Sequence, residues 1–277
     1  MRMDGGPMSD PEAEASCTSR RDPERSRGTP KTLHPPPTES AAERVRAMFG
    51  RIVARYDLMN TLMTGGMDRR WRETAVRMSR PHGAVALDVA TGTGELALEL
   101  ARQGARRVVA LDFCGPMLDS AARKTSALGP AVRLVAGDAL ALPFADGSFD
   151  LVTNGFLLRN LADLRLGLRE MARVLKPGGL AVCLEITHPP SRLFGALFRP
   201  FFYRFVPMLG AAIAGDFGAY SYLPNSLTPF PDAPRLAEIM RESGFDRVSY
   251  RYLSFGAVAV HVGEKGPDST EPAATGC

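Results

Sequence analysis

The sequence predicts an α/β fold: an open sheet of seven strands, mostly parallel, with a C-terminal antiparallel strand and an N-terminal helical cap. Three observations predict it. From Val85 to Thr187, short apolar runs alternate with helical periodicity, the pattern of parallel strands joined by covering helices. A glycine-rich turn, Thr91-Gly-Thr-Gly94, separates the first such strand from the helix after it. Two strand-like runs close the pattern, with too few residues between them for a crossover, so one must run against the rest.

Composition narrows the classes. At 277 residues, 45% hydrophobic and 23% charged, the chain can bury a sizeable core. No run reaches the roughly 18 uncharged apolar residues of a membrane helix, and no early apolar segment suggests a secretory signal. Cys17, Cys114, Cys183 and Cys277 are scattered without a CxxC pair, so neither a metal centre nor a disulfide scaffold is expected and the compartment is reducing, hence cytoplasmic. A net charge of +4 gives no case for nucleic acid.

Residues 1–40 hold seven of the 22 prolines and, methionine aside, one large aliphatic residue, Leu33. Such a stretch buries too little apolar area to offset its ordering entropy and is expected as a disordered tail. Its seven acidic residues argue against a mitochondrial transit peptide. The folded domain is expected over 41–265, and 266–277 as a disordered C-terminus.

Val45, Met48, Phe49, Ile52, Val53 and Tyr56 form one helical stripe, and a short second helix carries Trp71, Ala75 and Met78; together these cap helices span 41–80. Strands follow at Val85–Ala90 and Arg107–Asp112, with a helix from about Glu95 to Gln103 between them. Gly115-Pro116 opens a helix to about Leu128. Val132–Ala136 and Phe149–Asn154 are the next strands. A helix between Ala162 and Val174 stops at the breaker run Lys176-Pro-Gly-Gly179, which leads into strand Leu180–Thr187. A helix with Leu236, Ile239 and Met240 ends at Gly244, and strands at about Arg247–Leu253 and Phe255–Val262 follow.

The chemistry concentrates at strand ends. Gly92 and Gly94 let a ligand approach the main chain with no Cβ in the way. The same Gly-x-Gly pattern imitates a dinucleotide fingerprint, so alone it is weak. Asp112 ends the second strand twenty residues after Gly92, where a carboxylate accepts both ribose hydroxyls. Asp138 ends the third, where an acid can accept an adenine amino group, with Leu142-Pro-Phe144 to flank the ring. The order of the two acids and the antiparallel ending favour a sulfonium cofactor over a dinucleotide.

With these residues in place, the sequence resembles the class I S-adenosylmethionine-dependent methyltransferases, a Rossmann-like fold, and within them the ubiquinone/menaquinone biosynthesis C-methyltransferase family. Four stretches from Ala42 to Glu264 carry it: the entry helix ending Tyr56-Asp57-Leu-Met-Asn60, the glycine turn, Phe156-Leu-Leu-Arg159-Asn160, and Tyr220-Ser-Tyr222-Leu-Pro-Asn-Ser226 with Phe230-Pro231. The resemblance implies S-adenosyl-L-methionine as cofactor and C-methylation of a polyprenyl quinol. Asp88, Gly92, Thr93, Gly94, Asp112, Asp138, Ala139 and Gly155 are then expected at the cofactor. Arg159 and Asn160, which follow the fourth strand, are expected at the chemistry: Arg159 to favour a quinolate or hold a water, Asn160 to orient it. Tyr56 and Asp57, ending the cap helix, would close the site. Tyr220, Tyr222 and His188 are expected to line the acceptor pocket.

The sequence departs from the family pattern at several places: Leu157 stands for a glycine, Ser221 for an arginine between the tyrosines, and Glu95 for a frequent aspartate. None removes an expected cofactor contact, but an O- or N-methyltransferase for another small aromatic, or a non-enzymatic membrane-associated relative, stays open. In the insertion at 190–231, Phe194, Phe198, Phe201, Phe202 and Phe205 are interrupted by Arg199 and Arg204. That segment reads equally as a packed lid or as an apolar element that receives a polyprenyl tail at the inner face of the membrane. The expected partnerships are peripheral membrane contact through this Phe-rich segment, and a homodimer.

Overall fold

The computed structural model describes residues 41–214 and 217–267. The expected tail at 1–40, and all but the first two residues of 266–277, lie outside the described residues. Contacts divide the chain after Thr38, and every described residue belongs to the second unit, Glu39–Cys277.

The apolar stripe noted above forms helix α1, Ala41–Thr64, which packs against the body of the domain. Its burial continues past Tyr56 and Asp57 to Met59, fully buried, so the helix does not end at Tyr56-Asp57 as expected. It stops at Gly65 and Gly66, both at positive φ, where glycine closes a helix without steric cost. Helix α2 is Met67–Ser79.

The alternating segment forms β1 (Val85–Val89), α3 (Glu95–Arg102), β2 (Arg107–Asp112), α4 (Gly115–Thr125), β3 (Val132–Ala136), β4 (Phe149–Gly155), α5 (Leu164–Val174) and β5 (Leu175–Ile186). Helix α4 is shorter than expected, giving way to a 3-10 stretch, Ser126–Ala131, that turns at Gly129. Strand β5 is longer: Leu175 already pairs with Phe149, and a register shift after it absorbs the Lys176–Gly179 run as an irregularity within the strand. The insertion forms α6 (Arg192–Pro200), a π turn (Phe201–Phe205), α7 (Val206–Ala214) and α8 (Phe217–Leu227). Helix α9 (Ala233–Glu242) and strands β6 (Phe245–Leu253) and β7 (Val258–Lys265) follow.

The seven strands lie in the order β3-β2-β1-β4-β5-β7-β6. All pairs are parallel except those of β7, which runs against both β5 and β6. Alternate residues serve opposite faces, as a strand's period of two requires. Leu87, Val109, Leu111 and Val152 pack with α5 and α9 through Leu168, Met171, Leu236 and Met240. Ala86, Val108, Ala110 and Leu151 pack with α2 and α3 through Ala75, Val76, Leu96 and Leu100. Strand order reverses between β1 and β4, and the crevice beyond the carboxyl ends of strands at such a switch is where folds of this kind bind ligands. Helix α1 and the insertion cover that edge through their own small core, in which Met48, Ile52 and Met59 meet Ala219 and Tyr220.

Candidate active site

At the switch, the chain leaves β1 through Ala90 at φ 55° and turns at Gly92 and Gly94, both at positive φ. Asp88 holds this turn from beneath. It is fully buried and accepts from Thr91 Oγ1 at 2.6 Å and Thr153 Oγ1 at 2.8 Å. Burial pushes its carboxyl up to about 6, against the lowering effect of the two hydroxyls. Thr93, also buried, donates to Asp57 Oδ1 at 2.6 Å. Neither residue, nor Gly94, lines the cavity above. The Asp88 and Thr93 side chains meet Thr91, Thr153 and Asp57, and so hold the loop and tie it to α1.

The cavity has a volume of about 510 Å³ and is walled by the strand ends, α1 and α8. Gly92, Asp112, Asp138, Ala139 and Gly155 all line it. Asp112 accepts from the Gly92 amide at 2.8 Å and the Cys114 amide at 2.8 Å, one on each oxygen. Each oxygen keeps a further lone pair. Burial raises its carboxyl, and these amides pull it back. Asp138 is exposed and caps its own turn, accepting from the Leu140 amide at 2.9 Å. A Cβ on Gly155 would stand 2.6 Å from Leu96 Cδ1, so only glycine leaves this wall undisturbed. The arrangement fits S-adenosylmethionine in the donor and acceptor types it offers: a glycine turn open to close approach and two carboxylates, Asp112 and Asp138, at successive strand ends.

Beyond Gly155 the backbone passes through Phe156 at φ 61°. Leu157, where the resembling family carries glycine, has φ −90° and needs none. The Phe156 carbonyl accepts from Arg159 Nη1 and from Asn160 Nδ2, both at 3.0 Å. Arg159 is not the free cation its position suggested. Its guanidinium ion-pairs with Glu185 at the end of β5, with side chains 4% and 1% exposed. Burial raises the Glu185 carboxyl while Arg159 opposes the rise. The sequence reading missed Glu185, although an acid within the apolar strand Leu180-Ala-Val-Cys-Leu-Glu-Ile186 is itself a signal, since charge enters a core only with a partner. Arg159 Nε and Asn160 Oδ1 are buried without a partner among the described residues, and both side chains belong to cavity-lining residues.

Tyr56 and Tyr222 line the same cavity, and burial raises the Tyr222 phenol. Asp57 does not. It bridges to Lys124 at 2.6 Å, which also bonds Glu95, so it ties α1 to the glycine loop and to α4. Tyr220 is buried and lines a second, narrower cavity of about 110 Å³. His188 lines neither; its Nε2 meets the Phe230 carbonyl at 3.0 Å, because the chain beyond β5 turns toward the insertion. The narrow cavity and the larger one share Met48, Phe49, Tyr56, Phe156 and Arg159 in their walls. Phe198, Phe201, Phe202 and Val206 of the insertion form its apolar side, and Asp68, unremarked in the sequence reading, also lines it.

The sequence model described as the ubiE/COQ5 methyltransferase family matches residues 37–265. A demethylmenaquinone methyltransferase of Deinococcus radiodurans is 46% identical over 229 residues, covering 82% of this chain and 95% of the relative. One of Thermus thermophilus is 48% identical over 220 residues, covering 79% and 100%. Among solved structures, a SAM-dependent methyltransferase from Thermotoga maritima superposes with a TM-score of 0.58 at 21% identity, over 80% of this chain and 99% of that one. The last shows the shared fold.

Proposed function

The chain belongs to the ubiE/COQ5 methyltransferase family, and on that premise we propose that it methylates a ring carbon of a polyprenyl quinol, the demethylmenaquinol-to-menaquinol step. It is an S-adenosylmethionine-dependent methyltransferase. The observation that carries the acceptor reading is the wall shared by the two cavities, where a buried, ion-paired arginine borders both the larger cavity and a mostly apolar one.

When bound, S-adenosylmethionine supplies an electrophilic methyl group. The burden on the chain's own residues is the nucleophile, since a ring carbon attacks well only as an adjacent hydroxyl loses its proton. Asp112 and Asp138 would hold ribose and adenine. With its charge compensated by Glu185, Arg159 acts through its free Nε–H, which can donate to the developing quinolate oxygen. Asn160 Oδ1 can accept from the same hydroxyl or from a water that carries its proton away. Tyr56 and α1 exclude bulk water.

The insertion supports a lipid-facing reading. Leu193, Phe205 and Met208 are 77%, 52% and 66% exposed, and among the described residues Arg192, Arg199 and Arg204 enter no ion pair. No helix among the described residues is long and apolar enough to cross a membrane. We place this face on an anionic bilayer surface, from which the isoprenoid acceptor reaches the narrow cavity behind it.

Purified protein assayed with demethylmenaquinol and with the corresponding methoxy-benzoquinol tests the acceptor. Turnover of the first with a new carbon-bound methyl is expected; methylation at oxygen, or of neither ring, would overturn the reading. Flotation with anionic vesicles tests the surface, and a shift to a dimer on light scattering without flotation would assign the same face to a second copy of the chain.

A further inference from the structure

The narrow cavity is mostly apolar; apart from Arg159 and the aromatic Tyr56, Trp71 and Tyr220, its polar lining is Asn60, Thr64 and Asp68, from the end of α1 and the first turn of α2. Among the described residues Asp68 is its sole carboxylate. It is 7% exposed. Oδ2 accepts from Arg72 Nη1 at 2.6 Å, and the two side chains are 11% and 10% exposed. Oδ1 lies 3.0 Å from Thr64 Oγ1, whose single proton is contested by the Asn60 carbonyl at 2.8 Å. The Arg72 guanidinium is also over the Phe156 ring, 5.9 Å from its centroid, while that of Arg159 is 5.7 Å from the same centroid.

A first-turn acid on α2 would serve the helix dipole equally well in water. Placing the pair in the wall of an apolar cavity costs desolvation that a hydrophobic pair would avoid. Arg72 itself does not line the cavity, and among the described residues the only side-chain donor to Asp68 Oδ1 is the Thr64 hydroxyl, whose proton it shares.

We infer that Asp68 selects the reduced form of the acceptor: its carboxylate accepts a hydrogen bond from the ring hydroxyl remote from Arg159, and it rejects the oxidised quinone. The inference rests on the quinol reading above. A quinol carries oxygens at opposite ends of its ring, and both Arg159 and Asp68 line this one cavity. A hydroxyl can donate to a carboxylate, whereas a quinone carbonyl can only accept. An ionised carboxylate has nothing to donate to it, so two acceptors would be buried face to face. Asn60 can donate to either form and so discriminates neither. Asp68 is a specificity residue, and its effect is on which redox state enters.

The test is anaerobic calorimetry of the enzyme saturated with S-adenosylhomocysteine, titrated with 2-prenyl-1,4-naphthoquinone and separately with its dithionite-reduced quinol. The wild type is expected to bind the quinol at least tenfold more tightly, the scale of one hydrogen bond to a charged group. Asp68→Asn, whose amide can donate to a carbonyl, should bring the two affinities within about threefold, and Asp68→Glu should restore the preference. Unchanged affinity of Asp68→Asn for S-adenosylhomocysteine would show that the fold is intact. Equal wild-type affinities, which need no variant to measure, would overturn the inference, as would Asp68→Asn with the wild-type ratio. Binding of neither ring by the wild type would overturn the quinol reading and this inference with it. Quinol turnover with equal binding of both forms would overturn this inference alone.

Discussion

Glu185, at the end of β5, lies buried behind Arg159 and ion-pairs with its guanidinium. The residue expected to favour a quinolate or hold a water is half of a compensated pair. Breaking one partner of such a pair strands a buried charge, at a cost of about 3–5 kcal/mol. Glu185→Ala is therefore expected to lower stability by that amount in urea unfolding. The double replacement Arg159→Leu with Glu185→Leu should recover most of the loss while remaining inactive. A double variant whose loss is the sum of the Arg159→Leu and Glu185→Leu losses would show that the pair is not coupled.

Arg159→Ala tests the chemistry. Affinity for S-adenosylhomocysteine should stay within a few fold, while the methylation rate falls by roughly 10², the scale of one positioned acid–base or hydrogen-bonding group. The deficit should shrink as pH rises, because the acceptor hydroxyl then ionises unaided. A pH-independent deficit would assign Arg159 a purely structural part.

Asp112 receives the Gly92 and Cys114 amides and faces the cavity. Asp112→Ala is expected to weaken S-adenosylhomocysteine binding at least tenfold by calorimetry. Comparable heats for variant and wild type would remove the ribose assignment, and binding of NADH would favour a dinucleotide site instead.

Asp88 makes stability depend on pH. Its carboxyl is raised from 3.8 to about 6 in the fold, so the folded chain holds a proton that the unfolded chain has already lost. The associated stability is whole below about pH 4 and is lost as pH climbs through 6. For this fully buried group the loss is about 3 kcal/mol. Urea midpoints measured from pH 4 to 7.5 should therefore converge or cross between wild type and Asp88→Asn, the wild type losing ground as pH rises. Parallel curves would contradict the shift.

Phe201 and Phe202 part company. Phe201 is 40% exposed and Phe202 6%. Phe202→Ser should destabilise by about 3 kcal/mol or more, as large-to-small core changes do. Phe201→Ser should leave stability unchanged but weaken vesicle flotation and raise KM for long-tailed quinols more than for short ones. Equal effects on both tail lengths would leave Phe201 a packing residue.

Local pattern was enough to bring Gly92, Asp112 and Asp138 to the wall of one cavity. Gly92, Asp112 and Asp138 are each placed at the carboxyl end of a consecutive parallel strand, and in an alternating α/β chain those ends share one edge whatever the details of packing. Gly155, Arg159 and Asn160 follow from the same rule at β4. Periodicity tells which face a side chain takes; it carries no information about which distant side chain it meets. The tertiary structure alone decided that Glu185 faces Arg159, since β5 lies beside β4. It also decided that Asp88 and Thr93 serve the loop from within, that His188 turns to Phe230, and that Asp57 belongs to Lys124. Asp68 became legible only when α2 brought it to a cavity whose other walls come from α1, β7 and the insertion. Burial and pairing of charge are set by contacts between segments far apart in the chain, and those contacts do not exist until the sheet has closed.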